Sequence, residues 1–191
     1  MEDYEGSKVL TALKALFGAV IGALPGVALW IILGKLGVIA SVSGMAIAMG
    51  VVFLSCLFAG DSNLSPLVML TICGVVFLTA IIISEKIVWT MEMSESLSEY
   101  LSTYRGEIIK AVMAENPDIS RTEADGLLTD DLYNQIVTET FGVREATFSE
   151  CFSNFGSLLG KLEMKGEYIS SIVKSIFFGL LGGSAFFAKI M

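Results

Sequence analysis

The chain is expected to fold as an all-α polytopic membrane protein, with four transmembrane helices and a helical polar domain inserted between the third and fourth. Three observations predict this. Hydrophobic residues make up 54% of the 191 positions and the mean hydropathy is +0.73, both outside the range of ordinary soluble domains. Four apolar stretches reach the roughly 20 residues that a hydrocarbon core about 30 Å thick requires. Small residues recur at four-residue spacing in three of them, the pattern by which membrane helices approach closely.

The first span is placed at about 9–33 and the second at about 38–59, separated by Gly34-Lys35-Leu36-Gly37. So short a turn dictates an antiparallel hairpin. Before it, Met1-Glu-Asp-Tyr-Glu-Gly-Ser-Lys8 is acidic where a secretory leader is basic, and no small-residue cleavage site follows, so the first span is read as retained. Pro25 interrupts it near its middle and predicts a kink, because proline removes one helical hydrogen bond. A discontinuous helix of the transporter type would need a matching break elsewhere, and Gly182-Gly183 is a poor match. Gly60-Asp-Ser-Asn-Leu-Ser-Pro66 forms the next turn, with Pro66 suited to a first helical position. The third span runs to about 88 and the fourth occupies about 168–191. Trp30 and Trp89 are placed where aromatic anchors meet headgroups.

Residues 89–167 are read as a separate polar domain, poor in long apolar runs. Ile108, Ile109, Val112 and Met113, then Leu127, Leu128, Leu132, Ile136 and Val137, then Phe148, Phe152 and Phe155 keep helical spacing, which predicts three or four amphipathic helices. Asn116-Pro117-Asp118 ends one helix, Ser120-Arg-Thr-Glu123 has the capping-box pattern, and Gly142 terminates another. Residues 89–168 hold fifteen acids and six bases, a net of −9 in a chain of net −8.

Close packing is expected at Gly18, Gly22 and Gly26 in the first span, at Ala40, Gly44 and Ala48 in the second, and at Ser175, Gly179 and Gly183 in the fourth. Within one chain these rows pack a bundle; between chains they build an oligomer. Lys14, Glu85, Lys86, Lys174 and Lys189 all fall near helix ends, where long side chains reach the interface. Glu85 and Lys86 therefore read as solvated interfacial charges. Ser41, Ser43, Ser55, Thr71 and Thr79 are expected to bond their own helix carbonyls. Lys161, Lys165 and Lys174 flank the fourth span, where they can meet anionic headgroups.

Loop lysines orient the chain: Lys8, Lys14 and Lys189 lie on the amino-terminal side and Lys35 on the other. That places both termini in the cytoplasm and the 89–167 domain outside. Counting Lys86, Lys161 and Lys165 beside the long loop reverses the preference.

Histidine is absent, which removes the commonest general base and metal ligand, so no enzyme, cofactor or metal centre is expected. Cys56 and Cys73 lie in apolar segments, Cys151 stands alone in the polar domain, and no C-x-x-C pair occurs. Asp118, Glu123, Asp125, Asp130 and Asp131 with Gly126 lack the spacing of a calcium loop and read as a solvated acidic face. An acidic domain also argues against nucleic acid as a partner. The function expected is that of an integral membrane interaction or scaffold protein, its bundle anchoring and its acidic domain docking a partner. The alternative is a small oligomeric channel or permease.

The stretch Phe17-Gly-Ala-Val-Ile-Gly-Ala-Leu-Pro-Gly-Val-Ala-Leu-Trp-Ile-Ile-Leu-Gly-Lys-Leu-Gly37 resembles the opening hairpin of small multi-pass membrane proteins of Gram-positive bacteria, a group without an established activity. The resemblance implies a bacterial plasma membrane, and it supplies no catalytic or binding residues.

Overall fold

Long apolar runs without strand-like alternation leave the backbone to satisfy its own hydrogen bonds, and the chain winds into helices. The computed structural model describes residues 2–35, 41–60 and 64–187, with side-chain surroundings for 7–34, 42–60, 64–181 and 184. Its helices are α1 (Glu2–Lys35), α2 (Ser41–Ala59), α3 (Pro66–Glu115), α4 (Arg121–Leu127), α5 (Asp130–Phe141), α6 (Phe148–Ser153), α7 (Phe155–Lys161) and α8 (Lys165–Phe187), and no strand occurs among the described residues. Three helical segments there are long and apolar enough to cross a membrane: Ser7–Gly34, Val42–Ala59 and Pro66–Glu115.

The third of these differs from expectation. In place of a span ending near 88, α3 continues unbroken for 50 residues. No residue with a strong preference against helix stands at the change from apolar to polar text, so Trp89 lies inside a helix. Pro25 likewise sits exposed within α1 without ending it.

The chain forms two compact units, one of residues Met1–Val88 and Glu167–Met191, the other of Trp89–Gly166. In the first, the core is built from small and branched residues: Ala15, Ala19 and Ala23 on α1, Ile47, Ala48, Val51 and Val52 on α2, and Cys73, Phe77 and Ile81 on α3. Its outer face is apolar too, with Phe17, Leu24, Phe53, Leu57, Leu67, Val75, Val173 and Phe177 exposed. An apolar core beneath an apolar surface suits hydrocarbon surroundings.

In the second unit, Ile109 of α3, Ala124 of α4 and Leu128 form a buried cluster joined by Val112, Ile119, Tyr133 and Ile136. Val137, Val143, Cys151, Phe155, Leu158 and Leu159 are buried as well. Local chemistry sets the helix ends. The Ser120 hydroxyl accepts from the Glu123 N–H at 3.3 Å, while the Ser120 N–H donates to Glu123 Oε2 at 2.8 Å, a closed capping box. The Ser120 N–H, and after it the Ser120 hydroxyl, which donates to the same Oε2 at 2.8 Å, favour the charged carboxylate and hold Glu123 below its ordinary value. Gly142 closes α5 in the left-handed region, φ 78°, where a side chain is disfavoured. The Glu150 carboxylate accepts from the N–H groups of Arg144 at 2.7 Å and Glu145 at 2.9 Å, organising the turn into α6.

Candidate functional site

Two places concentrate chemistry: the helix contacts of the first unit, and a polar clamp with an apolar cleft in the second. In the first, α1 and α2 run antiparallel with their backbones in contact. A Cβ on Gly18 would collide with the carbonyl oxygen of Leu54, and one on Gly22 with that of Gly50. One on Gly26 would lie 2.5 Å from the Ile47 nitrogen. Gly44 faces Gly179 of α8, whose Cα would stand 2.8 Å from an added Cβ, and Gly179 in turn holds the Phe77 ring of α3. Ala40 and Lys189 lie outside the described residues, and the surroundings of Gly183 do so too. These approaches gain dispersion and leave no room for a side chain.

Trp30 corrects its sequence reading. Only 3% exposed, its ring packs beside Gly44, 3.5 Å from where a Cβ would stand. The space that glycine leaves on α2 is filled by indole, so Trp30 serves the core where an interfacial anchor was expected.

Glu85 is the larger correction. It is 4% exposed, and α8 supplies two hydroxyl donors to it. The Ser171 hydroxyl donates to Oε2 at 2.9 Å and the Ser175 hydroxyl to Oε1. Ser171, Ser175 and Gly179 are four residues apart and share one stripe of α8. The row thus serves close packing at Gly179 and polar satisfaction of a buried carboxyl at the serines. A further serine departs from expectation: the Ser55 hydroxyl reaches Met69 Sδ on α3 at 3.2 Å, whereas Thr71 bonds its own helix at the Leu67 carbonyl, 2.8 Å.

In the second unit, Arg105 of α3 holds three acceptors. Its Nη1 donates to Asp130 at 2.7 Å, its Nη2 to the Leu128 carbonyl at 3.1 Å and its Nε to Asp125 at 3.3 Å. The guanidinium also stands 5.7 Å from the centre of the Tyr133 ring, whose hydroxyl donates to the Leu101 carbonyl at 2.8 Å. The planar fork suits this division among α4, the following turn and α5. Hydrogen bonding to Asp130, above all, raises Arg105 above its ordinary value, while burial raises Tyr133. Two of the acids read from sequence as a solvated face, Asp125 and Asp130, are thus held by a cation 20 and 25 residues away. Glu123 is held by its own cap. Among the described residues no group of three or more Cys, Asp or Glu is placed to hold a metal ion. Lys161 donates to the Glu139 carbonyl in the last turn of α5 at 3.0 Å, a favourable end for a cation.

The same unit contains a cleft of about 370 Å³ lined by Glu92, Met93, Ser96, Leu97, Tyr100, Phe141, Leu162 and Met164. Tyr100 and Phe141 wall one end, and behind them Tyr104 also meets the phenylalanine ring, both tyrosine rings standing at steep angles to it with centroids 5.7 Å apart. Sequence spacing offered no signal for this cleft, because Phe141, Leu162 and Met164 reach it only through the tertiary fold. Comparison with protein-family models, with curated proteins and with solved structures found no match to this chain.

Proposed function

We propose that the protein is an integral membrane interaction protein, in which α1, α2, α3 and α8 form the membrane anchor, packed on one another through the glycine contacts, and the acidic unit docks a protein partner. We read α8 as the fourth span, the plasma membrane as the location, both termini as cytoplasmic and the unit as extracytoplasmic. No catalytic role is proposed. The observation that carries the reading is that the unit Trp89–Gly166, with fourteen acids and six bases and so a net charge of −8, leaves Leu127, Leu132 and Phe148 exposed, Leu127 by 62%. Apolar groups among acids on a folded surface suit a partner with a basic rim. Photo-crosslinking from positions 127 and 132 in intact cells tests it. Discrete adducts there, weakened by Asp131→Lys and absent from exposed position 107, support docking; their absence at both positions removes it.

Buried Glu85 favours a second reading, a small oligomeric channel or permease, since ionisable groups inside spanning helices commonly mark conduction paths. Ion flux through reconstituted liposomes that is lost in Glu85→Gln would favour it over docking.

A further inference from the structure

The cleft of the second unit has a chemistry that selects its ligand. Its floor is apolar and well buried at Met93 and Leu97, and Leu162, Met164, Phe141 and Tyr100 complete the walls. Glu92, Ser96 and Tyr100 share one stripe of α3, so the groove runs about 12 Å along that helix at roughly 1.5 Å per residue. A carboxylate stands at one end and two aromatic rings, Tyr100 and Phe141, at the other. Among the described residues, Glu92 is the one carboxylate of the lining, and no lysine or arginine lines it. The volume of about 370 Å³ suits a small molecule, the range for such sites beginning at about 300 Å³.

Each part of the lining favours the same class of ligand. An anion would be repelled by Glu92 and by the acidity of the unit. A neutral apolar molecule would leave the carboxylate without a partner. A compact, strongly hydrated cation would find too few oxygens to replace its water. A cation whose charge is spread over an apolar body loses little hydration, places its bulk on the floor, and has both the carboxylate and the aromatic side chains of Tyr100 and Phe141 within the same cleft. Two methionines adapt the walls to ligand shape. We propose that this cleft is a binding site for lipophilic organic monocations. The proposal is independent of partner docking, which is read from Leu127, Leu132 and Phe148.

The test uses the full chain in nanodiscs of zwitterionic lipid, with empty discs subtracted, and a pair of probes nearly identical in shape and opposite in charge, tetraphenylphosphonium and tetraphenylborate. Equilibrium dialysis is expected to show protein-dependent binding of the phosphonium and none of the borate. Glu92→Gln is expected to weaken the phosphonium about fivefold, the scale of a partly exposed charge contact, and Glu92→Lys to favour the borate. Ser96→Trp, which fills the groove from an exposed position, is expected to abolish binding, while Ser96→Ala retains it and controls for folding. Equal binding of the two ions, no binding of either, or phosphonium binding indifferent to Ser96→Trp overturns the proposal. So does native mass spectrometry showing a co-purified phospholipid that is lost in Ser96→Trp, which would assign the cleft to an acyl chain.

Discussion

Ser175 of α8 donates its hydroxyl hydrogen to Glu85 of α3, with Ser171 one turn away serving the other carboxyl oxygen. The two helices are thereby held in one register, since sliding α8 by a single residue would turn both hydroxyls off the stripe. Removing one donor leaves a buried acceptor half satisfied. Ser175→Ala is expected to lower stability by about 1 kcal/mol, as interhelical hydrogen bonds in membranes commonly do. Ser175→Thr, which keeps the hydroxyl, should cost less if its methyl is tolerated. Thermal unfolding in detergent measures both, and a loss from Ser175→Ala no larger than that from exposed Ser184→Ala would remove the hydrogen bond from the account.

The glycines divide by what surrounds them. A Cβ at Gly22 would run into the Gly50 carbonyl, whereas one at Gly74 of α3 would meet nothing within 4 Å. Gly22→Ala should therefore destabilise by about 1–3 kcal/mol through overpacking. Gly74→Ala should be neutral or stabilise by about 0.5–1 kcal/mol, because alanine restricts the unfolded chain and favours helix. The opposed signs can be read from paired melting curves, and two losses of equal size would contradict the close approach of α1 and α2.

Arg105 tests the value of a fork against that of a charge. Arg105→Lys keeps the cation but cannot reach Asp125, Leu128 and Asp130 together, so amide exchange in α4 and in the first turn of α5 should accelerate nearly as much as in Arg105→Ala. Full protection in the lysine variant would mean that charge alone holds these helices.

The capping box predicts a pH dependence. Glu123 titrates below its ordinary value in the folded chain, so its contribution is complete above the unfolded pKa of about 4.3 and fades as pH falls through the lower folded value. The stability gap between wild type and Glu123→Ala should be open at neutral pH and close in acid. A gap that widens on acidification would reverse the assignment.

Cys151 is 0% exposed, and burial, helped by the charge of Glu150, pushes its thiol above the ordinary range. A membrane-impermeant maleimide should leave the folded wild-type chain unlabelled at this residue and react once the unit unfolds. Topology is then read from Cys151→Ala carrying Ser149→Cys, an exposed position. Labelling in intact cells supports an extracytoplasmic unit; labelling only after permeabilisation places it in the cytoplasm.

Much of the local structure was legible in the residues. The Ser120–Glu123 capping box, the left-handed Gly142 and the end of α3 just before Asn116-Pro117 each depend on groups within a few positions of one another, and short-range geometry is written in short-range sequence. Glu85 was misread for the converse reason. Its adjacency to Lys86 and a nearby change in composition suggested a solvated helix end, but its partners lie 86 and 90 residues away. Trp30 was misread likewise, since its burial rests on Gly44 of another helix.

Sequence alone determined that this chain is helical and that three helices among the described residues are apolar enough for a membrane, because hydropathy and backbone satisfaction are properties of each segment by itself. Tertiary structure decided the pairing: which carbonyl each glycine meets, that Arg105 gathers Asp125 and Asp130, and that Phe141, Leu162 and Met164 close a cleft over Glu92 and Tyr100. Those outcomes depend on contacts between residues distant along the chain, and neither periodicity nor composition records which faces will meet.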